Sequence, residues 1–232
     1  MNLLVISSAP VFILLFYVYY RDKYEKEPLS LLFKSLLAGA IITVPIYFSE
    51  LGVSHLVNPL RTSIYSAAFN DAFVVASLCE EAFKLAAVML LVWRNKNFNE
   101  RFDGIVYAVF VSLGFALVEN MMYVFGHANA LEVGLSRAIT AVPAHAMFGV
   151  MMGYHLGLAR FESHRRKLHL FNAFSIPFLF HGIYDFILMS QNKWLLMGFA
   201  PLMVYLYIRV RKRMFQHSQS SVFKPDDEHN VD

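Results

Sequence analysis

Charge is scarce in this chain. Of its 232 residues only 16% are Asp, Glu, Lys or Arg, whereas 57% are hydrophobic; soluble domains carry about 25% charged residues. Mean hydropathy is +0.48, which excludes an ordinary water-soluble globule and points to an integral membrane protein. Cysteine occurs once, at Cys79, so no disulfide can form within the chain and the residue is read as a small buried apolar group. There is no P-loop, GxGxxG, paired CxxC or HExxH, and no internal repeat. Nucleotide cradles, zinc ribbons and the helical zinc-protease signature are thereby absent as motifs. The basic residues follow the loops between apolar runs, so nucleic-acid binding is not called for.

The apolar residues are arranged in long runs. A membrane-spanning helix needs about 20 of them, and seven runs qualify as candidates: 3–20, 29–48, 72–93, 104–126, 137–159, 170–189 and 194–208. The first has no basic residues before it and ends in an aromatic cluster, "FYVYY", so it reads as a retained span rather than a cleaved signal. The fold class is therefore an all-α polytopic bundle: a membrane domain over 1–210 and a polar cytoplasmic tail over 211–232, disordered from "SQSSV" onward. Within the longest external loop, 49–71, Val53, Leu56, Val57, Leu60 and Ile64 recur at helical spacing, which predicts an interfacial helix lying on the outer surface.

Lys and Arg are distributed unevenly between the runs. Alternate segments (21–27, 94–103, 160–169 and the tail from 209) hold fifteen of them, and the opposite set holds Arg61, Arg137 and Lys193. Positive charge favours the cytoplasmic side. The N-terminus is thus outside and the C-terminus in the cytoplasm, a parity that seven crossings satisfy.

Against that background a few ionisable residues lie where lipid is expected: Glu80, Glu81, Lys84, Glu119, His145, His181 and Asp185. One charged residue at a span centre costs roughly 2.5–3.5 kcal/mol on insertion scales, and several facing lipid would cost on the order of 10 kcal/mol. They are expected to face each other. Counting from the outer ends of their spans, Glu80, Glu119, His145 and His181 each lie about seven or eight residues in, which at 1.5 Å per residue is roughly 10–12 Å. Four helices of alternating direction thus place an ionisable group in one layer, in the outer half of the membrane. Glu80–Lys84, Phe115–Glu119 and His181–Asp185 are pairs four apart, sharing a helix face. Ala141, His145, Gly149, Gly153 and Gly157 form a ladder along which another helix can approach closely. Asn120, beside Glu119, reads as a hydrogen-bond partner.

Such a set is suited to hydrolysis. A carboxylate can take a proton from water and return it to a leaving amine, and histidine can donate to a developing oxyanion. The same groups could bind a divalent metal such as zinc, and spacing alone does not choose between the two. A proton relay of a transporter and a non-enzymatic immunity or scaffold protein are the alternative functions.

The ordered set "EEAFK" (Glu80, Glu81, Lys84), "FALVE" (Phe115, Glu119), the His145 helix and "HGIYD" (His181, Asp185) resembles the PrsW family of bacterial intramembrane proteases, with its EExxK, FxxxE and HxxxD motifs on successive spans. The likeness extends to the start, "SSAPVFILLFYVYYRDKYEKEPL". The family is similar to CAAX prenyl endopeptidases and bacteriocin-immunity membrane proteins, which have EExxxR. The resemblance implies a multi-pass protease of the bacterial cell membrane. Its substrate would be a single-span anti-sigma factor (RsiW-like), cut first on the extracytoplasmic side, with sigma-factor release in an envelope stress response as the outcome. It implies catalytic roles for Glu80, Glu81, Glu119, His145, His181 and Asp185, with Glu80 or Glu81 activating water, and supporting roles for Lys84, Phe115 and Asn120. On metal it leaves two options, a glutamate mechanism without cofactor, favoured by the flanking lysine, and a zinc-type mechanism with Glu119, His145 and His181 as the ligands.

The orientation is testable by reporter fusion. Alkaline phosphatase joined within 49–71 is expected to be active, and joined within 94–103 inactive; the reverse pattern would overturn the assignment of sides.

Overall fold

The computed structural model describes residues 2–225. Among them there are only helices, turns and coil. The helices are α1 (Leu3–Arg21), α2 (Leu29–Val57), α3 (Ile64–Phe69), α4 (Leu78–Val92), α5 (Arg101–Gly126), α6 (Ala130–Ile139), α7 (Ala141–Phe161), α8 (Arg166–Met189), α9 (Lys193–Met197) and α10 (Phe199–Gln219). A π-helical stretch, Asn70–Ser77, joins α3 to α4 without a break. Five of the expected spans (α1, α2, α5, α8 and α9–α10) are long and apolar enough to cross a membrane. The other two are the run from Ile64 to Val92 and α7.

Helices α5 and α7 form the centre. From Phe102 to Ala116 every residue of α5 is buried, and α7 is buried over most of its length. A helix apolar on all sides belongs in a core; α7 achieves burial with glycine, alanine and methionine rather than with long aliphatic side chains. The expected small-residue ladder is the contact. A Cβ added at Gly153 would strike the carbonyl of Gly104, and one at Gly157 the carbonyl of Arg101. Helix α2 meets α5 in the same manner, with Gly39 against the Val111 carbonyl and Gly114 against the Leu36 carbonyl. Backbones this close carry dispersion contacts along the whole crossing, which is how helices associate where lipid removes the hydrophobic incentive. α1 joins the bundle through Val11, Leu15 and Val18, and Asn120 donates to the Ser7 carbonyl at 2.7 Å. Large apolar side chains such as Phe12, Phe16, Ile41, Phe48 and Leu90 point outward, as a lipid-facing surface requires.

Two expectations need correction. Val53, Leu56 and Val57 do not form a separate interfacial helix: α2 continues through them without interruption, 29 residues from Leu29 to Val57, and a 3-10 turn, Asn58–Leu60, comes next. At 1.5 Å per residue α2 is about 44 Å long, longer than the hydrocarbon layer of about 30 Å. The amphipathic spacing seen in the sequence is the outer part of this helix, and Ile64 opens α3 instead. At the other end, α10 runs to Gln219, so the 210/211 boundary falls inside a helix. His217, read as a tail residue, is buried against Tyr154, and its Nδ1 donates to the Arg101 carbonyl at 3.0 Å. The remainder of the expected tail, from 226, lies outside the described residues.

Enlarging Gly153 to Leu is expected to destabilise the protein by more than the roughly 1–3 kcal/mol typical of core overpacking, because the obstacle is backbone. Gly52→Ala, where nothing lies within 4 Å, should leave the melting temperature in detergent unchanged or raise it slightly. Equal melting of the Gly153→Leu variant and the parent would contradict the α5–α7 contact.

Candidate active site

The site begins with the local conformation before "LCEEAFK". Ser63 caps α3 through a reciprocal capping box with Ser66, and the helix then widens into the π stretch over Asn70–Ser77. Such stretches are rare, and one inserted here changes the rotational phase at which α4 begins. Ser77 donates to the Phe178 carbonyl at 2.6 Å, and the Phe73 ring lies against Gly182. These contacts hold the π stretch to α8 and turn the first face of α4 inward. Glu80, Glu81 and Lys84 are consequently buried, with Glu81 fully enclosed and Lys84 1% exposed.

The Lys84 ammonium is the hub. Its Nζ donates to Glu80 Oε2 at 2.8 Å and to Glu81 Oε1 at 2.9 Å, lies 3.3 Å from His145 Nδ1, and sits 4.3 Å from the centroid of the Phe115 ring. Two carboxylates, an imidazole and a π face thus surround one cation. From there the network runs both ways. His145 Nε2 is 3.0 Å from Glu119 Oε2, to which Arg137 Nη2 also donates at 2.6 Å. On the far side His181 Nδ1 is 2.9 Å from Glu81 Oε1, and its Nε2 is 3.2 Å from Asp185 Oδ2. The ring of His181 stacks on Phe148 and stands perpendicular to that of His145, centroids 5.5 Å apart. One chain of polar contacts therefore links α4, α5, α7 and α8, the four helices whose ionisable residues share a depth in the sequence.

These groups border a cavity of about 680 Å³. Glu80, Glu119, His145, His181, Asp185 and Phe115 line it, while Glu81, Lys84 and Asn120 lie behind the wall. The cavity extends to residues at the ends of helices assigned to the outer side, including His127, Arg137, Leu188 and Met189.

Several placements differ from the sequence reading. Arg137, counted there only as an external basic residue, is a component of the site: it pairs with Glu119 and its Nε donates to Asn120 Oδ1 at 2.9 Å. A lone arginine at the outer end of a span was the available signal. Glu50 also lines the cavity, and its placement in an expected loop concealed it. The ligand set Glu119, His145 and His181 is not what converges. Among the described residues the groups with ligand atoms within 4.8 Å of one another include Glu80, Glu81 and His145; His181 is turned toward Glu81 and Asp185 instead. Toward the opposite end of the bundle His155 of α7 and His169 of α8 meet, their Nδ1 atoms 3.4 Å apart.

Glu80, Glu81 and His145 offer carboxylate and imidazole donors of the kind zinc takes, so a metal fits by donor type and spacing. Lys84 Nζ lies among the same atoms, so an ion and the ammonium would share one place, and the lysine would have to withdraw as the ion entered.

Removing the hub charge should be costly. Lys84→Met is expected to lower stability by about 3–5 kcal/mol, the usual consequence of leaving a buried charge without its partner. Glu81→Gln added to Lys84→Met should recover part of that loss; a double-mutant cycle on detergent melting curves that shows no coupling would refute the role of Lys84 as hub.

Comparison with known proteins agrees with the geometry. A family model described as PrsW family intramembrane metalloprotease matches residues 27–210. The chain is 38% identical to "Protease PrsW" of Clostridioides difficile (strain 630) over 212 residues, covering 90% of this chain and 87% of that one. It is 36% identical to "Protease PrsW" of Oceanobacillus iheyensis over 222 residues, covering 96% and 99%. Against "Protease PrsW" of Bacillus subtilis (strain 168) identity is 35% over 200 residues, covering 86% and 88%. No solved structure matches. With buried acids and histidines gathered on a cavity between membrane helices, and with relatives of that name along nearly its whole length, the chain belongs to the PrsW family of bacterial multi-pass intramembrane metalloproteases.

Proposed function

We propose that this protease makes the first cut in a single-span anti-sigma factor (RsiW-like), on its extracytoplasmic side, and so starts sigma-factor release under envelope stress. The observation that carries the reading is the cavity of about 680 Å³ that joins the buried acids to the ends of the helices assigned to the outer side. A peptide bond just outside or just within the outer leaflet can reach Glu80 there. The relatives carry the name of a protease, and the anti-sigma substrate rests on the family resemblance together with this outward opening.

Within the site the two adjacent glutamates take different roles. Glu80 lines the cavity; one of its oxygens holds Lys84, and the other lies 3.9 Å from His181 Nε2, outside hydrogen-bond reach. It is the carboxylate open to water, and the general base that passes the water proton to the leaving amine. Glu81 is sealed behind it and bonds both Lys84 and His181, so it positions rather than reacts. Glu119 and Arg137 orient His145, and Asp185 orients His181; both imidazoles line the cavity, where either would donate to a developing oxyanion. A metal held by Glu80, Glu81 and His145 would add Lewis-acid polarisation and lower the pKa of a water.

Purified full-length protein with an anti-sigma fragment tests the proposal. Glu80→Gln is expected to reduce cleavage by about 10²-fold or more, the scale of general-base loss, without loss of substrate binding. Glu81→Gln should cut less deeply into the rate and lower the melting temperature. Normal cleavage by Glu80→Gln would remove Glu80 from the role. Loss of activity on chelation, restored by zinc, would assign the metal; full activity in chelator would assign a glutamate mechanism without one.

A further inference from the structure

The opposite end of the bundle holds a second group of acids, all buried but the half-buried Glu25, that the proteolytic site does not use. Asp22, Glu25 and Glu27 come from the α1–α2 loop, Glu100 and Asp103 from the start of α5. Asp22 and Asp103 are completely buried, Glu27 is 2% exposed and Glu100 3%. All lie on segments that the lysine and arginine distribution assigns to the cytoplasm.

The acids share a pattern of half-satisfaction. Asp103 Oδ2 accepts from the backbone N–H groups of Asn99 and Glu100 at 2.8 and 2.7 Å. One oxygen of Glu27 accepts from the Tyr107 hydroxyl, and Asp22 Oδ2 accepts from the Glu27 N–H at 3.3 Å. In each case the second oxygen, Asp103 Oδ1, Glu27 Oε1 and Asp22 Oδ1, is buried with no hydrogen-bond partner among the described residues, as is Glu25 Oε2. Ligand oxygens of Glu25, Glu27 and Asp103 lie within 4.8 Å of one another. Among nearby bases, Arg101 pairs with Glu162, and Lys26 donates to the Tyr19 and Asp22 carbonyls. Buried polar atoms are ordinarily satisfied; here one oxygen each of Asp22, Glu25, Glu27 and Asp103 is not, nor is the nearby Asn99 Oδ1.

We propose that Glu25, Glu27 and Asp103, flanked by Asp22, form a second cation site at the cytoplasmic end of the bundle, taking a hard divalent cation, magnesium or calcium, through carboxylate oxygens. The donor set is oxygen only, which suits these ions and not zinc. The cation would tie the α1–α2 loop to the start of α5, beside the point where Ser221 donates to Glu100. Helix α5 carries Glu119 at its other end, so this clamp fixes the helix that supports one side of the active site.

Full-length protein in detergent, stripped with EDTA, is titrated with Mg²⁺ or Ca²⁺ while melting is followed. Tb³⁺ luminescence sensitised by Tyr107 reports the site directly. Saturating cation should raise the melting temperature by several degrees and quench the Tb³⁺ signal, whichever of the two ions competes better being the ligand. Both responses should persist in Glu80→Gln and disappear in Glu27→Gln and in Asp103→Asn; the Asp103 variant serves alone if the Glu27 variant does not fold. Three results would overturn the proposal: no cation response in the parent protein, a response that survives both cytoplasmic substitutions, or one lost with Glu80→Gln. The first would mean that a shared proton settles the cluster, and the last that the ion belongs to the proteolytic site.

Discussion

A single ammonium group organises this protein's chemistry. Glu80 and Glu81, adjacent on one helix and both buried, are two acids that converge on one cation. Lys84 supplies it one turn on, from the same helix, and so needs no long-range partner to be present. Having neutralised the glutamates, it draws in His145 and the face of Phe115 from two further helices. A desolvated cation over an aromatic ring is worth about 2 kcal/mol or more, which explains why the phenylalanine of the FxxxE motif sits where it does. The rest of the network, from Arg137 at one end to Asp185 at the other, extends from this hub.

The scaffold is arranged to bring such a network together in a setting where isolated charges are expensive. α5 and α7 approach backbone to backbone through glycines, and α2 approaches α5 the same way. With the helices this close, side chains as short as those of Glu119 and His145 reach each other directly. The π stretch before α4 performs the complementary task of turning the acidic face inward. Polar groups then cluster at the two ends of the bundle, one set lining a cavity and the other buried at the opposite end, with an apolar core between them.

Much of this was legible from residues alone. The common depth of Glu80, Glu119, His145 and His181 comes from counting along helices of known rise, and their contact from the cost of exposing charge to lipid. The glycine ladder on α7 announced a close crossing. Other features were not legible, for identifiable reasons. The continuation of α2 past 48 and of α10 past 208 was hidden because polar residues enter as a helix leaves the membrane, and hydropathy falls there although the backbone hydrogen bonds go on. The part played by Arg137 was hidden because an arginine at a span's outer end looks like any other external charge until its partner is located. The convergence of Glu80, Glu81 and His145 rather than Glu119, His145 and His181 depends on which way two imidazoles rotate about their helices.

By itself, then, the sequence determined the class of the molecule and that its buried acids and histidines meet in one layer, because both are set by one-dimensional spacing and the energetics of charge in lipid. Only the tertiary structure decided which glutamate faces the cavity and which is sealed behind it, that Lys84 holds both, and that acids from a loop and a helix start meet at the other end. Those outcomes depend on helix rotation and on the phase shift of one π-helical stretch, quantities that arise from packing among distant segments and leave no periodic mark along the chain.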